Sequence, residues 1–130
     1  MPPRFDAPTL EMLGRVLEIE IETTSLDGEQ RHRTIVWIVV VRDGTYLRSE
    51  YAESGRWYRE ARSEPRVILH AEGTAIPATA VLADDAETVD AVSDAYRAKY
   101  GKRSPASTEA MVAPHTLETT LRLDPRDPSA

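Results

Sequence analysis

The sequence predicts a mainly β protein, an antiparallel barrel of short strands with peripheral helices. Three observations carry that expectation. Short apolar or alternating runs are separated by the turn dipeptides Asp27-Gly28, Asp43-Gly44 and Glu72-Gly73, so neighbouring strands are joined mainly by hairpins. The run from Ile35 to Val41 is apolar at both parities, which an antiparallel sheet tolerates only with a barrel interior behind it and a helix or second subunit in front. The one long helical pattern, Val89, Val92, Tyr96 and Tyr100, follows a block of strands instead of alternating with them.

In chain order, Asp6-Ala7-Pro8 opens a first helix that buries Leu10, Leu13, Val16 and Leu17 and ends near Leu17. Glu18-Ile19-Glu20-Ile21-Glu22 alternates as a strand, its carboxylates read as the solvated face of an edge strand. After the Ser25–Glu29 turn, one central strand takes His32 through Val41. Arg42-Asp43-Gly44 turns the chain, and Thr45–Tyr51 returns beside it. Ser54 is placed to cap a short helix, Arg56–Arg62, which Pro65 stops. Val67–Ala71 and Thr74–Ala83 form the next hairpin. Asp84 with Glu87 starts the long helix in capping-box fashion, and Lys99 with Gly101 closes it, the lysine serving the helix dipole. A short helical turn around Met111 precedes a last strand, Thr116–Leu123. The division expected is an N-terminal helix over 1–17 packed on the barrel, a barrel over 18–125, and a flexible tail over 126–130 that frays from about Asp124.

A chain of 130 residues is one domain with a single real core. With no cysteine, disulfides, thiolate metal sites and cysteine nucleophiles are excluded. A net charge of −6 argues against nucleic acid, which needs clustered cations in excess. No apolar run is long enough for a bilayer, and MPPRFDAPTLEML lacks a secretory profile, so no membrane partner and a cytoplasmic location are expected. The three histidines, His32, His70 and His115, show no metal-ligand spacing, so no metal is expected.

The chemistry that remains is a corner at the mouth of the hairpin. Arg33-Thr34 and Arg48-Ser49 lie toward one end of the paired strands, and the start of the Trp57-Tyr58 helix follows at once. Two guanidiniums, two hydroxyls and a helix N-terminus suit a phosphate, and Trp57 and Tyr58 can stack on a flat ring. The competing role for Arg33 and Arg48 is pairing with the Glu18/Glu20/Glu22 row or with Glu50. Trp37, with apolar neighbours on both sides, reads as core.

The ordered series HRTIVWIVVV, RDGTYLRS, GRWYREA, PRVILHA, DAYRAKYG and TTLRLDP resembles a family of small bacterial proteins of unassigned function. That family is similar to a branch of the flavin-binding split-barrel superfamily, which includes pyridoxamine-phosphate oxidases and deazaflavin-dependent nitroreductases. The resemblance implies an antiparallel, FMN-binding-like split barrel that forms a homodimer, with FMN or a deazaflavin (coenzyme F420) in a groove between subunits. It implies that Arg33, Thr34, Arg48 and Ser49 bind the cofactor phosphate and that Trp57 and Tyr58 are the aromatic pair beside it. The activity implied is a flavin- or deazaflavin-dependent oxidoreductase of small organic substrates. A non-redox small-molecule-binding barrel without flavin and a dimeric structural domain without ligand remain as alternatives.

Overall fold

The computed structural model describes residues 3–129. Seven strands form one antiparallel sheet: β1 (Ile19–Thr24), β2 (Arg31–Val36), β3 (Val39–Val41), β4 (Gly44–Leu47), β5 (Arg66–Ala71), β6 (Thr74–Leu82) and β7 (Leu121–Pro125). Around it lie α1 (Ala7–Arg15), α2 (Arg56–Ser63), α3 (Ala86–Tyr100), α4 (Pro105–Val112) and α5 (Pro114–Leu117). The spatial order β2-β1-β5-β6-β7-β4-β3 puts β2 and β3 at opposite ends of the sheet, although only Trp37 and Ile38 separate them in the chain. The sheet therefore curls until its ends meet at that dipeptide, which gives a half-barrel.

This closure corrects the expectation of one continuous central strand. Val36 faces Ile19 of β1, whereas Val39 faces Tyr46 of β4, and no straight strand serves both partners. The two apolar parities consequently serve different cores. Val36 and Ile38 pack inside the barrel with Ile21, Leu47, Val67, Leu69 and Leu121, while Val39 packs with Tyr96 and Tyr100 of α3 and Met111 of α4. Ile35 faces solvent instead, 61% exposed. β1 is no edge strand either, since it lies between β2 and β5. Its carboxylates are consumed locally: Glu22 takes Arg31 Nε and His70 Nε2, each at 2.7 Å, and Glu20 takes Arg33.

At the break, α3 supplies what the ladder cannot. Tyr100 Oη accepts the Ile38 N–H at 3.1 Å and donates to Leu17 O at 2.7 Å, and Lys99 Nζ donates to Ile38 O at 2.6 Å and to Leu13 O at 3.3 Å. Lys99 is thus a clamp on the break, not merely a cation at a helix end. Burial lowers its pKa to about 8. Because the folded value lies below the unfolded one, protonation opposes folding most fully below pH 8, and stability rises with pH between about 8 and the ordinary lysine value. The difference in unfolding free energy between the parent and Lys99→Met is expected to move in the parent's favour by about 1 kcal/mol from pH 7 to 10, discounted for partial solvent exposure. Urea titrations of both proteins at each pH measure it.

Several boundaries differ from expectation for local reasons. Asp6 caps α1 through Thr9 N at 2.9 Å, and α1 ends at Arg15. Asp85, not Asp84, caps α3, accepting from Thr88 N at 3.0 Å. Gly55 occupies the cap of α2, and the Ser54 hydroxyl donates instead to Tyr51 O at 2.8 Å, closing a 3-10 turn over Ala52–Ser54. Thr116–Thr120 is helical and turn-like, not strand. The hydroxyls of Thr116, Thr119 and Thr120 each donate to the carbonyl three residues back, and these local bonds compete with a strand ladder. Met111 belongs to an eight-residue helix, longer than the single turn expected. Asp124 and Pro125 belong to β7, and the Arg126 guanidinium beyond it donates to Val67 O at 2.8 Å and Ala78 O at 3.2 Å. Ala130 lies outside the described residues.

Candidate functional site

Where the chain passes from β2, paired with β1, to β3, paired with β4, it leaves a cavity of about 690 Å³. Its walls are Thr34 to Trp37 from β2 and the break, Arg48, Glu50 and Tyr51 after β4, Gly55 to Trp57 at the start of α2, Ser107 and Met111 of α4, and Glu18.

Arg48 follows β4 directly and is only 1% exposed. Its Nε donates to Thr120 Oγ1 at 2.9 Å, Nη1 to Ser93 Oγ at 2.8 Å and Met111 O at 3.2 Å, and Nη2 to Val89 O at 2.8 Å. Every acceptor is neutral. Burial lowers the pKa of the guanidinium, which nonetheless stays charged. Met111 O belongs to the last turn of α4, so that helix's negative end supplies part of the missing counter-charge. A buried cation compensated only by dipoles and by the face of the Tyr96 ring, 5.6 Å away, and lining a cavity, is an electrostatic invitation to an anion.

Arg56 gives the second cation, exposed at the mouth, with Nη2 donating to Thr34 Oγ1 at 3.1 Å. One turn further along α2, buried Glu60 takes His32 Nδ1 at 2.8 Å and Thr23 Oγ1 at 2.7 Å. These two rungs fix α2 over β2. The backbone N–H groups of Arg56, Trp57 and Tyr58 precede the first bond of the helix, Arg59 N to Gly55 O at 3.1 Å. Trp57 walls the cavity. So does Trp37, whose indole lies flat on the Tyr100 ring at 4.0 Å with planes 6° apart.

The sequence-nominated residues therefore divide. Thr34, Arg48 and Trp57 meet at the cavity. Ser49 lies behind it, its N–H on Thr119 Oγ1 at 3.1 Å and its buried hydroxyl without a partner. Arg33 is on the outer sheet face, 3.0 Å from Glu20, because the β1 register sets it opposite Glu22 and diagonal to Glu20. Tyr58 packs in the barrel core, edge-on to Trp57 at 6.2 Å, and burial raises the pKa of its hydroxyl. Arg56 and Trp37 were not nominated. Arg56 was visible only as a helix residue, and the apolar neighbours of Trp37 masked a side chain that the strand break turns to the cavity. Among the described residues no three His, Cys, Asp or Glu are placed to hold a metal ion.

Gly55 matters by proximity. A Cβ there would collide with Ser49 Oγ, although its φ of −61° suits any residue. Gly55→Ala is expected to cost about 1–2 kcal/mol, and adding Ser49→Ala should restore most of it, since the offending hydroxyl makes no bond. Equal losses in the single and double variants, by urea denaturation, would contradict this contact.

A curled antiparallel half-barrel with flanking helices is also the fold of solved split-barrel structures, among them pyridoxamine-phosphate-oxidase-like proteins. A provisionally assigned pyridoxamine 5′-phosphate oxidase of Listeria innocua superposes with a TM-score of 0.65 at 13% identity, over 92% of this chain and 92% of its own. HutZ, the heme storage protein of Vibrio cholerae, gives 0.64 at 14% over 95% and 92%, and an FAD-binding protein of Mesorhizobium loti gives 0.61 at 14% over 95% and 91%. A further similar structure, at 12% identity and a TM-score of 0.61 over 82% of this chain and 78% of its own, is a domain-swapped dimer. The chain belongs to the family DUF2255, described as uncharacterized protein conserved in bacteria, whose model matches residues 9–123. No curated protein matches the sequence significantly. Among the described residues no helix is long and apolar enough to cross a membrane.

Proposed function

We propose that the seam cavity holds a phosphate-bearing planar cofactor, FMN or a deazaflavin, and that the protein is a homodimeric oxidoreductase of small organic substrates. The observation that carries this is Arg48, a buried guanidinium at the cavity wall with no carboxylate partner among the described residues. Three further features fit such a group. The volume of about 690 Å³ is in the range of small-molecule sites. Gly55 lets the α2 start approach closely, beside an orphaned Ser49 hydroxyl. Two indoles wall the space.

When bound, the flavin or deazaflavin supplies hydride chemistry. The chain's own residues bind and orient: Arg48, Arg56, Thr34 and the free N–H groups of α2 hold the phosphate, and Trp57 and Trp37 flank the ring. Arg33 and Tyr58 take no part, being engaged elsewhere. A second subunit would exclude water. Ile35 and Tyr51, 61% and 73% exposed at the rim, are the apolar side chains such a copy would cover, and β2 offers an unpaired edge beside them.

One observation favours the second reading, a non-redox barrel for another small ligand. Glu18 and Glu50 also line the cavity, and their charges oppose a long anionic tail. The visible spectrum of the purified protein, with fluorescence titrations of FMN and of a deazaflavin, decides between them. Micromolar, saturable binding weakened by about tenfold or more in Arg56→Ala is expected. No binding of either cofactor, or an Arg56→Ala variant equal to the parent, overturns the redox reading.

A further inference from the structure

The outer face of the sheet carries a second basic concavity, unconnected to the seam cavity and sharing no residue with it. It holds about 310 Å³ and is walled by Arg31, Thr24, Arg66, Arg126, Glu64 and Ile68, with Pro128. The strand register explains how it forms. Thr24 of β1 pairs with Arg31 of β2, and the β1–β5 register, Glu22 opposite Ile68, continues to set Thr24 beside Arg66. One transverse row of the sheet thus reads Arg31, Thr24, Arg66, with the two cations about 10 Å apart across two interstrand spacings. Arg126, just beyond β7, is folded onto β5 and β6 by its bonds to Val67 O and Ala78 O.

Like charges set this close within one sheet face are unfavourable unless something answers them. The chain answers in part. Arg31 uses Nε on Glu22 at 2.7 Å and Nη1 on Thr24 Oγ1 at 2.6 Å, leaving Nη2 uncommitted. Arg66 uses Nε and Nη2 on Glu64, leaving Nη1. Arg126 uses Nε and Nη2 on backbone carbonyls, leaving Nη1, and among the described residues it meets no carboxylate. Three guanidiniums from three separate segments therefore each retain one free nitrogen around one hollow, and two carboxylates touch them. The internal bonds also hold each fork in place, so little side-chain entropy remains to be lost on binding. Arg66, bonding through its guanidinium and its backbone N–H, holds the Glu64 carboxyl down to about 2, so that carboxylate stays charged through the neutral range.

We propose that this hollow is a second anion site that takes a single phosphate group, as free phosphate or as a phosphate monoester, between Arg31, Arg66 and Arg126. A tetrahedral oxyanion accepts from several guanidinium nitrogens at once, and its charge answers three guanidiniums that share two carboxylates among the described residues. The hollow is too small for a dinucleotide, and the acidity of the chain as a whole disfavours extended polyanions.

Isothermal titration of the full chain with inorganic phosphate and, separately, with glycerol 3-phosphate tests this. In parallel, the guanidinium NMR signals of Arg31, Arg66 and Arg126 are followed. Saturable binding with a dissociation constant on the order of 1 mM is expected. Arg66→Gln and Arg126→Gln should each weaken it by about tenfold, whereas Arg56→Ala, at the seam cavity, should leave these signals' response unchanged. Equal affinity for both ligands identifies the bare phosphate group as the ligand, and tighter binding of the ester identifies phosphorylated metabolites. Should Arg126→Gln disturb the end of β7, Arg31→Gln tests the same hollow from β2. No saturation of these signals by either ligand at tens of millimolar, or Gln variants indistinguishable from the parent, overturns the proposal whatever the seam cavity binds.

Discussion

Arg48→Met is expected to fold with a stability within about 1 kcal/mol of the parent while losing cofactor affinity on the order of 100-fold. Arg48→Ala should lose about 3 kcal/mol of stability as well. The contrast follows from what surrounds the guanidinium. Its removal as charge relieves a desolvation penalty of several kcal/mol that no carboxylate offsets. The acceptors left behind are not all orphaned: Thr120 Oγ1 still donates to Leu117 O at 2.7 Å, and Met111 O still shares the Thr116 hydroxyl, 3.0 Å away, with Ala113 O at 2.8 Å. Methionine also refills most of the volume, whereas alanine leaves a void among Tyr96, Val89 and Met111. Urea unfolding and fluorescence titration of both variants separate the two roles. If Arg48→Met proves as unstable as Arg48→Ala, the guanidinium is a structural tie between β4, α3 and α4, and its claim on a ligand loses its basis.

How far the sequence reaches is clear from the same residues. Hairpin turns, the first helix and the long helix were legible because each depends on contacts within a few residues, such as Asp6 on Thr9 or the paired Glu72-Gly73 at positive φ. An antiparallel barrel with peripheral helices followed from how those pieces succeed one another, and its split form from the family resemblance. Arg48 was legible as a site residue, but as one arm of a surface corner with Arg33, and the register undid that pairing. Arg33 belongs to the β1 ladder, where Glu20 meets it, while Arg48 belongs to β4 and turns inward. Nothing local in RHRTIVWIVVV marks the point where one strand changes partners. Its apolar residues suit either partner, and the polar groups that allow the change, on Lys99 and Tyr100, lie more than sixty residues away. Arg56 and Trp37 were missed for that reason: their place at the cavity is a consequence of the break.

That dependence makes the Tyr100 hydroxyl the atom whose removal has the largest expected consequence for its size. Tyr100→Phe keeps the ring, its 4.0 Å stack with Trp37 and the packing of α3, and deletes one oxygen. Ile38 is fully buried, and its N–H has this oxygen as its acceptor at 3.1 Å, so the variant leaves a backbone donor without partner or water. Leu17 O loses its donor at 2.7 Å, while Ile38 O keeps Lys99 at 2.6 Å. An unsatisfied buried donor costs about 1–3 kcal/mol and the second lost bond about 1 more, so a total near 3 kcal/mol is expected from urea denaturation. The loss should be local in origin, appearing as accelerated hydrogen exchange at the Ile38 amide with protection retained along β5 and β6. Since Trp37 is the neighbouring residue and walls the cavity, ligand affinity should fall with it. Stability within about 0.5 kcal/mol of the parent, with unchanged Ile38 protection, would mean that the seam closes without this hydroxyl and that the half-barrel is held by its apolar cores alone.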